Sequence, residues 1–588
     1  MDSKHVTEST SGQEDIQKTW WKEAIIYQIY PRSFQDSDGD GIGDLNGITS
    51  RLDYIQSLGV DIIWLNPIFL SPNDDNGYDI SDYREIMREF GTMEDFNRLL
   101  KEIHKREMRL VLDLVVNHTS DEHPWFEEAR KSRHNPYYNY YHWWPAEKGE
   151  PPLRLSYFDE EGNAWTYNKP TDSYYLHYFS RKQPDLNWEN PEVRQEIFDM
   201  MRFWFDKGID GFRMDSISLI AKDPSFPLID SKKYPDIFSF YAKEPRLHLY
   251  LHEMNRQVLS KYDCMSVGEG SAVMVDDVAK FVDPAREELN MLYHFDAARI
   301  RNTTLPDNPE SGIDYSLIAL KKMFTEWDKA VDKGWPSIYL GNHDQPRMVS
   351  RFGSDKDEFR ALSAKMLITF LLTMRGTPYW FAGDEIGMRN IRFDRIEDYN
   401  DIDTINRYKK AKAEGKDPQA VLDEQKETGR DNARTPFQWD RSPEAGFTAG
   451  TPWLKVNPDY TWINVADEEK DPTSILNYFK KVVSFRKENP SLIYGSYHLL
   501  DAENPQSYTF LRKTGADTYL IMLNFSPKAA ISTPGIDMSN AHVLLDNYGD
   551  RSHMAPQKDI TLRPFEAIVF QLNHPVYESF IDSLDLLE

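Results

Sequence analysis

The chain has 588 residues, with 69 Lys and Arg against 96 Asp and Glu, which gives a formal net charge of −27 at pH 7. Because nucleic acids and anionic membrane surfaces attract proteins of the opposite sign, this charge argues against both as partners. With 40% hydrophobic and 13% aromatic residues the chain can bury a large core, which excludes wholesale disorder.

The chain begins with a polar tail of 18 residues, MDSKHVTESTSGQEDIQK, which lacks the apolar core of a signal peptide. No run of about 18 apolar residues, the length of a membrane span, occurs in the sequence. Its single cysteine, Cys264, cannot form an internal disulfide and is compatible with a reducing compartment. Together these features predict a protein without a membrane anchor and a cytoplasmic location.

Short apolar runs then alternate with amphipathic helices, which is the pattern of a parallel sheet. Thr92 with Asp95 predicts a helix capping box, and Asn190 with Pro191 predicts the start of another helix. Eight apolar strands are predicted, and eight parallel strands indicate a closed (β/α)8 TIM barrel of the α/β class. They cover Ala24–Tyr30, Asp61–Pro67, Leu110–Val116, Gly211–Asp215, Met265–Glu269, Leu289–Phe295, Ser337–His343 and Thr377–Phe381.

The loop after the first predicted strand reads DSDGDGIGD and alternates oxygen-bearing side chains with glycines. Such oxygens can surround a hard divalent cation, but the twelfth position is Gly47 rather than a bidentate Glu, and no helix pair flanks the loop. The loop therefore predicts a structural Ca²⁺ or Mg²⁺ site rather than an EF-hand. An Asp/Gly-rich turn without metal is the alternative. The predicted ligands are Asp36, Asp38, Asp40, Asp44 and the carbonyl of Ile42.

The remaining segments divide the chain into domains. Residues 119–186, dense in aromatic residues, Asn, Pro and Gly, separate the third and fourth strands and predict an inserted B subdomain. The catalytic barrel then comprises residues 19–118 and 187–504. From residue 505 to 575 the apolar period changes to two without intervening helices, which predicts a small antiparallel β domain. Residues 576–588 form an acidic tail.

Three carboxylates end predicted strands: Asp215, Glu269 and Asp344 follow the fourth, fifth and seventh. Catalytic groups of such barrels lie at the C-terminal ends of the strands. One such carboxylate often caps the next helix, but three on one rim favour a site. His118 ends the third run as Asn-His, and His343 lies next to Asp344; both could donate to sugar hydroxyls, although either alone is more often an ordinary hydrogen-bonded histidine.

Alternation along the strands gives these carboxylates different surroundings. Arg213 points the same way as Asp215, and a neighbouring cation keeps a carboxylate ionised. Glu269 shares its face with Val267 and Met265, an apolar setting that favours the protonated form. One ionised and one protonated carboxyl group facing each other is the arrangement that glycoside hydrolysis requires.

Nine segments now form an ordered set: WWKEAIIYQIYPRSF, DGDGIGD, NDDNGYDISDY, DLVVNHTSDEHPWF, QPDLNWENPEVR, GIDGFRMD, SVGE, GNHDQPR and GRDNARTPFQW. Together they resemble the α-glucosidase and oligo-1,6-glucosidase branch of the α-amylase superfamily, glycoside hydrolase family 13. The likeness runs from about Trp20 to Leu572. It implies a barrel with an inserted B domain and a C-terminal β domain, a retaining mechanism and no organic cofactor.

The resemblance also implies roles for single residues. Asp215 would be the nucleophile, Glu269 the acid and base, and Asp344 the stabiliser of the transition state. The expected substrate is a small oligosaccharide carrying an α-glucosyl unit, and a monomer is favoured. One arginine of GRDNARTP would touch the glucosyl unit, either Arg430 or the favoured Arg434. The other residues implied at the substrate are Asp75, Tyr78, His118, Phe179, Arg213, Ser216 and His343.

Departures from the family pattern bear on specificity. Ser216 follows the implied nucleophile, where strict α-1,6-glucosidases usually carry Val, so α-1,4 or sucrose-type glucosides are expected substrates beside α-1,6 ones. The GEGSAV segment after Glu269 is unusual, and PPLRLSYFDEEGNAW stands where relatives have other B-domain motifs. These differences predict a reshaped +1 subsite.

Three alternatives stay open at this point. A sucrose isomerase is the nearest, but where isomerases carry an Arg-x-Asp-Arg loop this chain has Arg299, Ile300, Arg301 and Asn302. A trehalose-6-phosphate hydrolase usually has QADLNW rather than QPDLNW. The non-catalytic heavy chains of amino-acid transporters resemble α-glucosidases, but they carry a transmembrane helix and lack the carboxylate set.

Overall fold

The computed structural model describes most of the chain, and the predicted acidic tail 576–588 lies outside the described residues, as do residues 1–17 of the predicted N-terminal tail. Among the described residues no helix is long and apolar enough to cross a membrane. The described ranges are 18–158, 162–230, 232–234, 237–515, 517–536, 538, 541–551 and 558–572.

Eight parallel strands form the central sheet, and each lies within or beside one of the predicted apolar runs. Their spatial order is β6-β5-β4-β3-β2-β1-β8-β7. The two ends of this order meet where Ser337 Oγ donates to the Leu292 carbonyl at 2.6 Å, so the barrel is nearly closed. The strands are β1 (Ile26–Ile29), β2 (Ile62–Leu65), β3 (Arg109–Val115), β4 (Gly211–Asp215), β5 (Met265–Glu269), β6 (Met291–Tyr293), β7 (Ser337–Ile338) and β8 (Thr377–Phe381).

Helices return the chain from the end of one strand to the start of the next, so all eight strands point their C-terminal ends at one rim. Thr92 and Asp95 form the predicted capping box. Asn190 caps the helix that begins at Pro191, and Gly208 ends it with a φ of 106°. The main barrel helices are Leu45–Ser50, Leu52–Ser57, Met93–Lys105, Pro191–Lys207, Arg246–Gln257, Ala279–Val282, Leu317–Ala330, Arg360–Thr373 and Ile475–Glu488.

The insertion between β3 and β4 forms a separate small sheet. It pairs the strands Trp143–Pro145, Trp165–Asn168 and Ser173–Leu176 in antiparallel fashion. An isolated bridge between His118 and Asp185 joins the two ends of the insertion at the barrel rim. The insertion therefore forms one wall above the strand ends.

The C-terminal domain is a five-stranded antiparallel sheet, with Ala530–Ser532 and Ile560–Leu562 as a separate pair. Its first strand begins at Ser496, so the domain boundary expected at residue 505 is too late. Buried Arg512 donates to the Thr373 carbonyl at 2.6 Å, at the negative end of a barrel helix, which ties the sheet to the barrel. The five strands are Ser496–Leu500, Ser507–Thr514, Asp517–Asn524, His542–Asp546 and Ala567–Leu572.

Two helices after β8, Ile402–Ala413 and Pro418–Thr428, lie at the rim beside the insertion. Asn406 Nδ2 donates to the Phe158 carbonyl at 2.6 Å, so this helical pair touches the inserted subdomain. The short helix Asp431–Arg434 follows and brings the two arginines of GRDNARTP to the rim.

Candidate active site

The ends of β4 and β5 carry two carboxyl groups that share one guanidinium. Arg213 Nη1 donates to Asp215 Oδ1 and its Nη2 donates to Glu269 Oε2, each at 2.8 Å. Arg213 lies beside Asp215, as the alternation along the strand predicts, and its side chain is only 1% exposed.

A third carboxylate, which the sequence reasoning missed, joins this cluster from β3. Asp113 is buried, is paired in register with Arg213 across the sheet, and accepts from Arg213 Nη1 at 2.8 Å. Its other oxygen accepts from the Tyr78 hydroxyl at 2.9 Å. The available signal was a single charge inside an otherwise apolar strand, because a buried carboxylate is rarely left without a partner.

Burial acts on the two facing carboxyl groups to different extents. It raises the pKa of Glu269 to about 8, and Arg213 opposes that rise. It raises the pKa of Asp215 to about 6, with Arg213 again opposing. Between these two pKa values Asp215 is ionised and Glu269 is protonated, which is one acid and one anion at the same rim.

The two oxygens of Glu269 have different partners. Oε2 accepts from the backbone N–H of Ser216 at 2.9 Å in addition to Arg213. Oε1 accepts from the Ser271 hydroxyl at 3.3 Å. Ser216 has a φ of 43°, so its backbone is left-handed immediately after β4.

Asp344 lies past the end of β7 beside two arginines and His343. Arg434 Nη2 donates to Asp344 Oδ1 at 2.8 Å and Arg430 Nη1 at 3.2 Å, while His343 Nε2 lies 3.1 Å from Oδ2. Burial raises the pKa of Asp344, but His343 and both arginines outweigh burial and hold the pKa below its ordinary value. Asp344 is therefore an anion at neutral pH.

The inner wall of the cleft is formed by the aromatic rings of Tyr78 and His343, whose polar atoms are held by hydrogen bonds. Tyr78 stacks on His343 with ring centroids 5.4 Å apart, and its hydroxyl lies 2.8 Å from His343 Nε2. Gln28 Nε2 lies 2.8 Å from the other ring nitrogen of His343. Asn66 Nδ2 donates to the Tyr78 hydroxyl at 2.7 Å, so this wall is held from behind.

His118 faces the same cleft from the end of the DLVVNH segment. Its Nε2 lies 3.0 Å from the Tyr78 carbonyl, and its ring centroid lies 5.0 Å from that of Phe179 in the inserted subdomain. Asn117 Nδ2 lies 3.2 Å from His118 Nδ1, and Lys222 Nζ donates to Asn117 Oδ1 at 2.6 Å. Burial lowers the pKa of His118 to about 3, so the ring is neutral.

Arg430 and Arg434 differ in what they reach. Arg430 Nη2 lies 3.4 Å from Asp75 Oδ1, so this side chain spans from Asp75 to Asp344, with 16% of it exposed. Arg434 is 1% exposed and donates from Nε to the His343 carbonyl at 2.9 Å. Burial raises the pKa of Asp75 to about 7, and Arg430 opposes the rise.

The acidic loop brings together three of its predicted ligands. Carboxylate oxygens of Asp36, Asp38 and Asp40 lie within 4.8 Å of one another, a spacing that fits a divalent cation. Asp44 has a different role, because its Oδ1 accepts from the Gly47 N–H at 2.7 Å and caps the helix Leu45–Ser50. Ile42 lies in the same loop, where its N–H donates to Asp40 at 2.8 Å.

The segment that stands in place of an isomerase loop is helical here. Arg299 and Arg301 lie in the helix Asp296–Thr303. Arg301 Nη2 donates to Asp314 at 2.7 Å and its Nε donates to the Arg351 carbonyl at 2.6 Å. The Arg301 guanidinium is therefore engaged by partners within the fold.

Comparisons with known proteins agree with this architecture. The profile of the family described as "Alpha amylase, catalytic domain" matches residues 28–495. The oligo-1,6-glucosidase of Parageobacillus thermoglucosidasius is 51% identical over 95% of this chain and 100% of that protein, and the oligo-1,6-glucosidase of Bacillus cereus is 49% identical at the same coverage. The crystal structure of the isomaltulose synthase from Klebsiella sp. LX3 is 41% identical, with a TM-score of 0.89, over 95% of this chain and 100% of that one.

Proposed function

The chain belongs to the α-amylase superfamily, glycoside hydrolase family 13, and on that basis we propose that the β4, β5 and β7 rim hydrolyses short α-glucosides from the non-reducing end with retention of configuration. The protein is a glycoside hydrolase, an exo-α-glucosidase of the oligo-1,6-glucosidase branch. Asp215 is the nucleophile, Glu269 the acid and base, and Asp344 the stabiliser of the transition state.

In the first step the Asp215 carboxylate attacks the anomeric carbon of the glucosyl unit. The bond from that carbon to the glycosidic oxygen breaks with its electron pair on the oxygen, and the proton of Glu269 goes to the same oxygen. The leaving sugar departs as a neutral alcohol, and a β-glucosyl ester on Asp215 is left. The negative Asp344 stabilises the positive charge that develops on the glucosyl ring.

In the second step the Glu269 carboxylate takes a proton from water, whose oxygen attacks the anomeric carbon. The bond between that carbon and Asp215 breaks, and the electron pair returns to the carboxylate. One water is consumed, both carboxyl groups return to their starting states, and α-glucose is released. Two inversions at one carbon give net retention.

The observation that carries this proposal is that the Arg213 guanidinium donates to both Asp215 and Glu269 and so holds them together. Burial raises the pKa of Glu269 more than that of Asp215. Because both carboxyl groups accept from one guanidinium, each at 2.8 Å, they lie close together, which supports retention; inverting enzymes keep their carboxyl groups about 6.5–9.5 Å apart to admit a water. A cation placed between two carboxyls also stabilises the charge on whichever is ionised.

The glucosyl unit is held by the residues around this pair. Arg430 spans the cleft from Asp75 to Asp344 and closes one side of it, which supports attack at the terminal unit of a chain. We assign the contact with substrate to Arg430 and a positioning role to the more buried Arg434, although the sequence favoured Arg434. The remaining contacts are proposed for Asp75, Tyr78, His118, Phe179, Arg213, Ser216 and His343.

Asp36, Asp38 and Asp40, with the carbonyl of Ile42, are proposed to hold a structural Ca²⁺ or Mg²⁺. The convergence of three carboxylate oxygens supports a hard cation, whereas Asp44 is proposed to act as a helix cap. A monomer is proposed as the oligomeric state. A cytoplasmic location is proposed and is supported by the single cysteine.

Isomerisation of sucrose is the second candidate, because the isomaltulose synthase of known structure shares the fold. Hydrolysis is favoured because relatives named oligo-1,6-glucosidase are 51% and 49% identical and because Asn302 ends the segment where isomerases have a second arginine. The deciding experiment is chromatography of the products formed from maltose, isomaltose, sucrose, isomaltulose and trehalulose. Glucose should accumulate from at least one of them, and conversion of sucrose mainly to isomaltulose or trehalulose would favour the isomerase.

A further inference from the structure

The carboxyl group of Glu269 has one oxygen that is already occupied. Oε2 accepts two N–H bonds, from Arg213 Nη2 at 2.8 Å and from the backbone of Ser216 at 2.9 Å. A carboxyl oxygen offers about two lone pairs, so two donors fill Oε2. The proton that makes Glu269 an acid is therefore carried by Oε1.

The Ser271 hydroxyl lies 3.3 Å from this second oxygen. Its loop is fixed on both sides. The N–H of Gly270 donates to the Tyr293 carbonyl at 2.8 Å on β6, and the Ser218 hydroxyl donates to the Ser271 carbonyl at 2.8 Å from the loop after β4. A Cβ at Gly270 would lie 2.7 Å from Cδ2 of Leu292, so a larger residue there would displace that side chain.

We propose that Ser271 is a positioning residue that holds Oε1 of Glu269, and the proton it carries, toward the glycosidic oxygen. The inference rests on the proposed role of Glu269 as acid and base. A hydroxyl suits this position because it can donate to a lone pair of Oε1 in both states of Glu269, which leaves the Oε1 proton free to point toward the glycosidic oxygen. Ser271 keeps its own proton throughout, so the proton balance of both steps is unchanged.

The other charged groups that face Glu269 lie elsewhere around it. Arg213 and Asp215 approach from β4 and Asp344 from the end of β7, and the Ser216 N–H adds a dipole on Oε2. None of these four is removed by a change at Ser271. A hydroxyl donates more strongly to a carboxylate than to a neutral carboxyl group, so Ser271 favours the ionised form of Glu269. Its loss should therefore raise the pKa of Glu269.

The test compares Ser271→Ala and Ser271→Thr with wild type and with Ser266→Ala. Ser266 is a matched control on β5, because its hydroxyl bonds Asn290. The kcat/KM of each protein is measured against pH on two substrates, isomaltose and 4-nitrophenyl α-glucoside. The second has an acidic leaving group that needs little protonation.

Ser271→Ala should lower kcat/KM on isomaltose about tenfold and on the nitrophenyl glucoside less than about twofold. The alkaline limb of its pH profile should move up by about half a pH unit. Ser271→Thr keeps the hydroxyl, so its alkaline limb should lie at the wild-type pH and its kcat/KM on isomaltose should equal that of wild type. Ser266→Ala should match wild type in both measurements.

The inference would be overturned if Ser271→Ala lost the same fraction of kcat/KM on both substrates while the alkaline limb stayed at the wild-type pH. It would also be overturned if Ser271→Ala behaved as wild type. Glu269→Gln, measured beside it, separates this outcome from failure of the proposed function. If Glu269→Gln hydrolyses isomaltose at the wild-type rate, the assignment of Glu269 itself fails. If Glu269→Gln is inactive on isomaltose while Ser271→Ala is normal, the inference about Ser271 alone fails.

Discussion

The backbone N–H of Ser216 donates to Oε2 of Glu269 across 2.9 Å, so the residue after Asp215 holds the carboxyl group on the neighbouring strand. This contact joins the end of β4 directly to the end of β5. Ser216 reaches it in a left-handed conformation, with φ 43° and ψ 31°, which a residue with a side chain adopts at a cost. Strained backbone therefore lies where the two proposed catalytic groups meet, and it sets their relative position.

Asp215→Asn should lower kcat for an aryl α-glucoside by several orders of magnitude, because the amide cannot form the glucosyl ester. The fold should survive, since an amide oxygen can still accept from Arg213. The measurement is steady-state turnover with the melting temperature as a check on folding. Near wild-type turnover of a purified Asp215→Asn protein would contradict the role of Asp215.

Several parts of this arrangement follow from the sequence because they depend on neighbours along one strand. Arg213 and Asp215 are two residues apart in an extended run, so alternation alone places them side by side. Buried parallel strands are continuous apolar runs, which is why all eight could be located.

Other parts depend on the register between strands, or on whether a carboxylate caps a helix or faces a cation. Asp113 reaches Arg213 because β3 and β4 pair in one register, which no local pattern fixes. Asp44 belongs to the same Asp/Gly repeat as Asp40, yet a helix begins directly after it and its carboxylate caps that helix. The strand Ser496–Leu500 was missed because it follows the short helix Ser491–Tyr494 almost directly, so no linker marks the start of the β domain.

The sugar released first should be α-glucose, because the glucosyl ester on Asp215 inverts the anomeric carbon once and water inverts it again. Proton NMR during the first minutes of hydrolysis distinguishes the two anomers before mutarotation mixes them. Predominant β-glucose at early times would require a single displacement and would remove the ester intermediate.

The pH dependence should be bell-shaped. Burial raises the pKa of Asp215 to about 6, so activity should fall below that pH as the nucleophile becomes protonated. Burial raises the pKa of Glu269 to about 8, so activity should fall above that pH as the acid loses its proton. The kcat/KM profile of the free enzyme reports both limbs. On the nitrophenyl glucoside the alkaline limb should be weaker, and an alkaline limb near pH 4 to 5 would contradict the raised pKa of Glu269.

Removal of divalent cations should lower the melting temperature rather than abolish turnover, because the Asp36, Asp38 and Asp40 cluster contains none of the proposed catalytic carboxylates. Three carboxylates without a cation repel one another, so the loop loses stability. Differential scanning calorimetry, with chelator and after addition of Ca²⁺ or Mg²⁺, measures the change in melting temperature. In the Asp38→Asn variant the cation should change the melting temperature less than in wild type. Immediate loss of turnover with an unchanged melting temperature would require a catalytic metal instead.

The last prediction concerns bond specificity and follows from Ser216. We propose that the side chain after the nucleophile borders the junction between the cleaved glucosyl unit and the leaving sugar, where Ser216 offers a small, buried hydroxyl. Val at this position adds a branched apolar wall, so Ser216→Val should shift the ratio of kcat/KM values toward isomaltose over maltose and sucrose by about 1–3 kcal/mol.

The left-handed backbone gives this substitution a second effect. A β-branched residue at φ 43° is strained, so Ser216→Val should also lower the melting temperature, by an amount equivalent to about 1–2 kcal/mol. Ser216→Ala is the matched control, because it removes the hydroxyl without adding a branch. If the Ala variant shifts the ratios as far as Val does, the hydroxyl is the selector rather than the space beside it. If neither variant changes any ratio, specificity must come from the inserted subdomain, where Phe158 and Phe179 flank the same cleft.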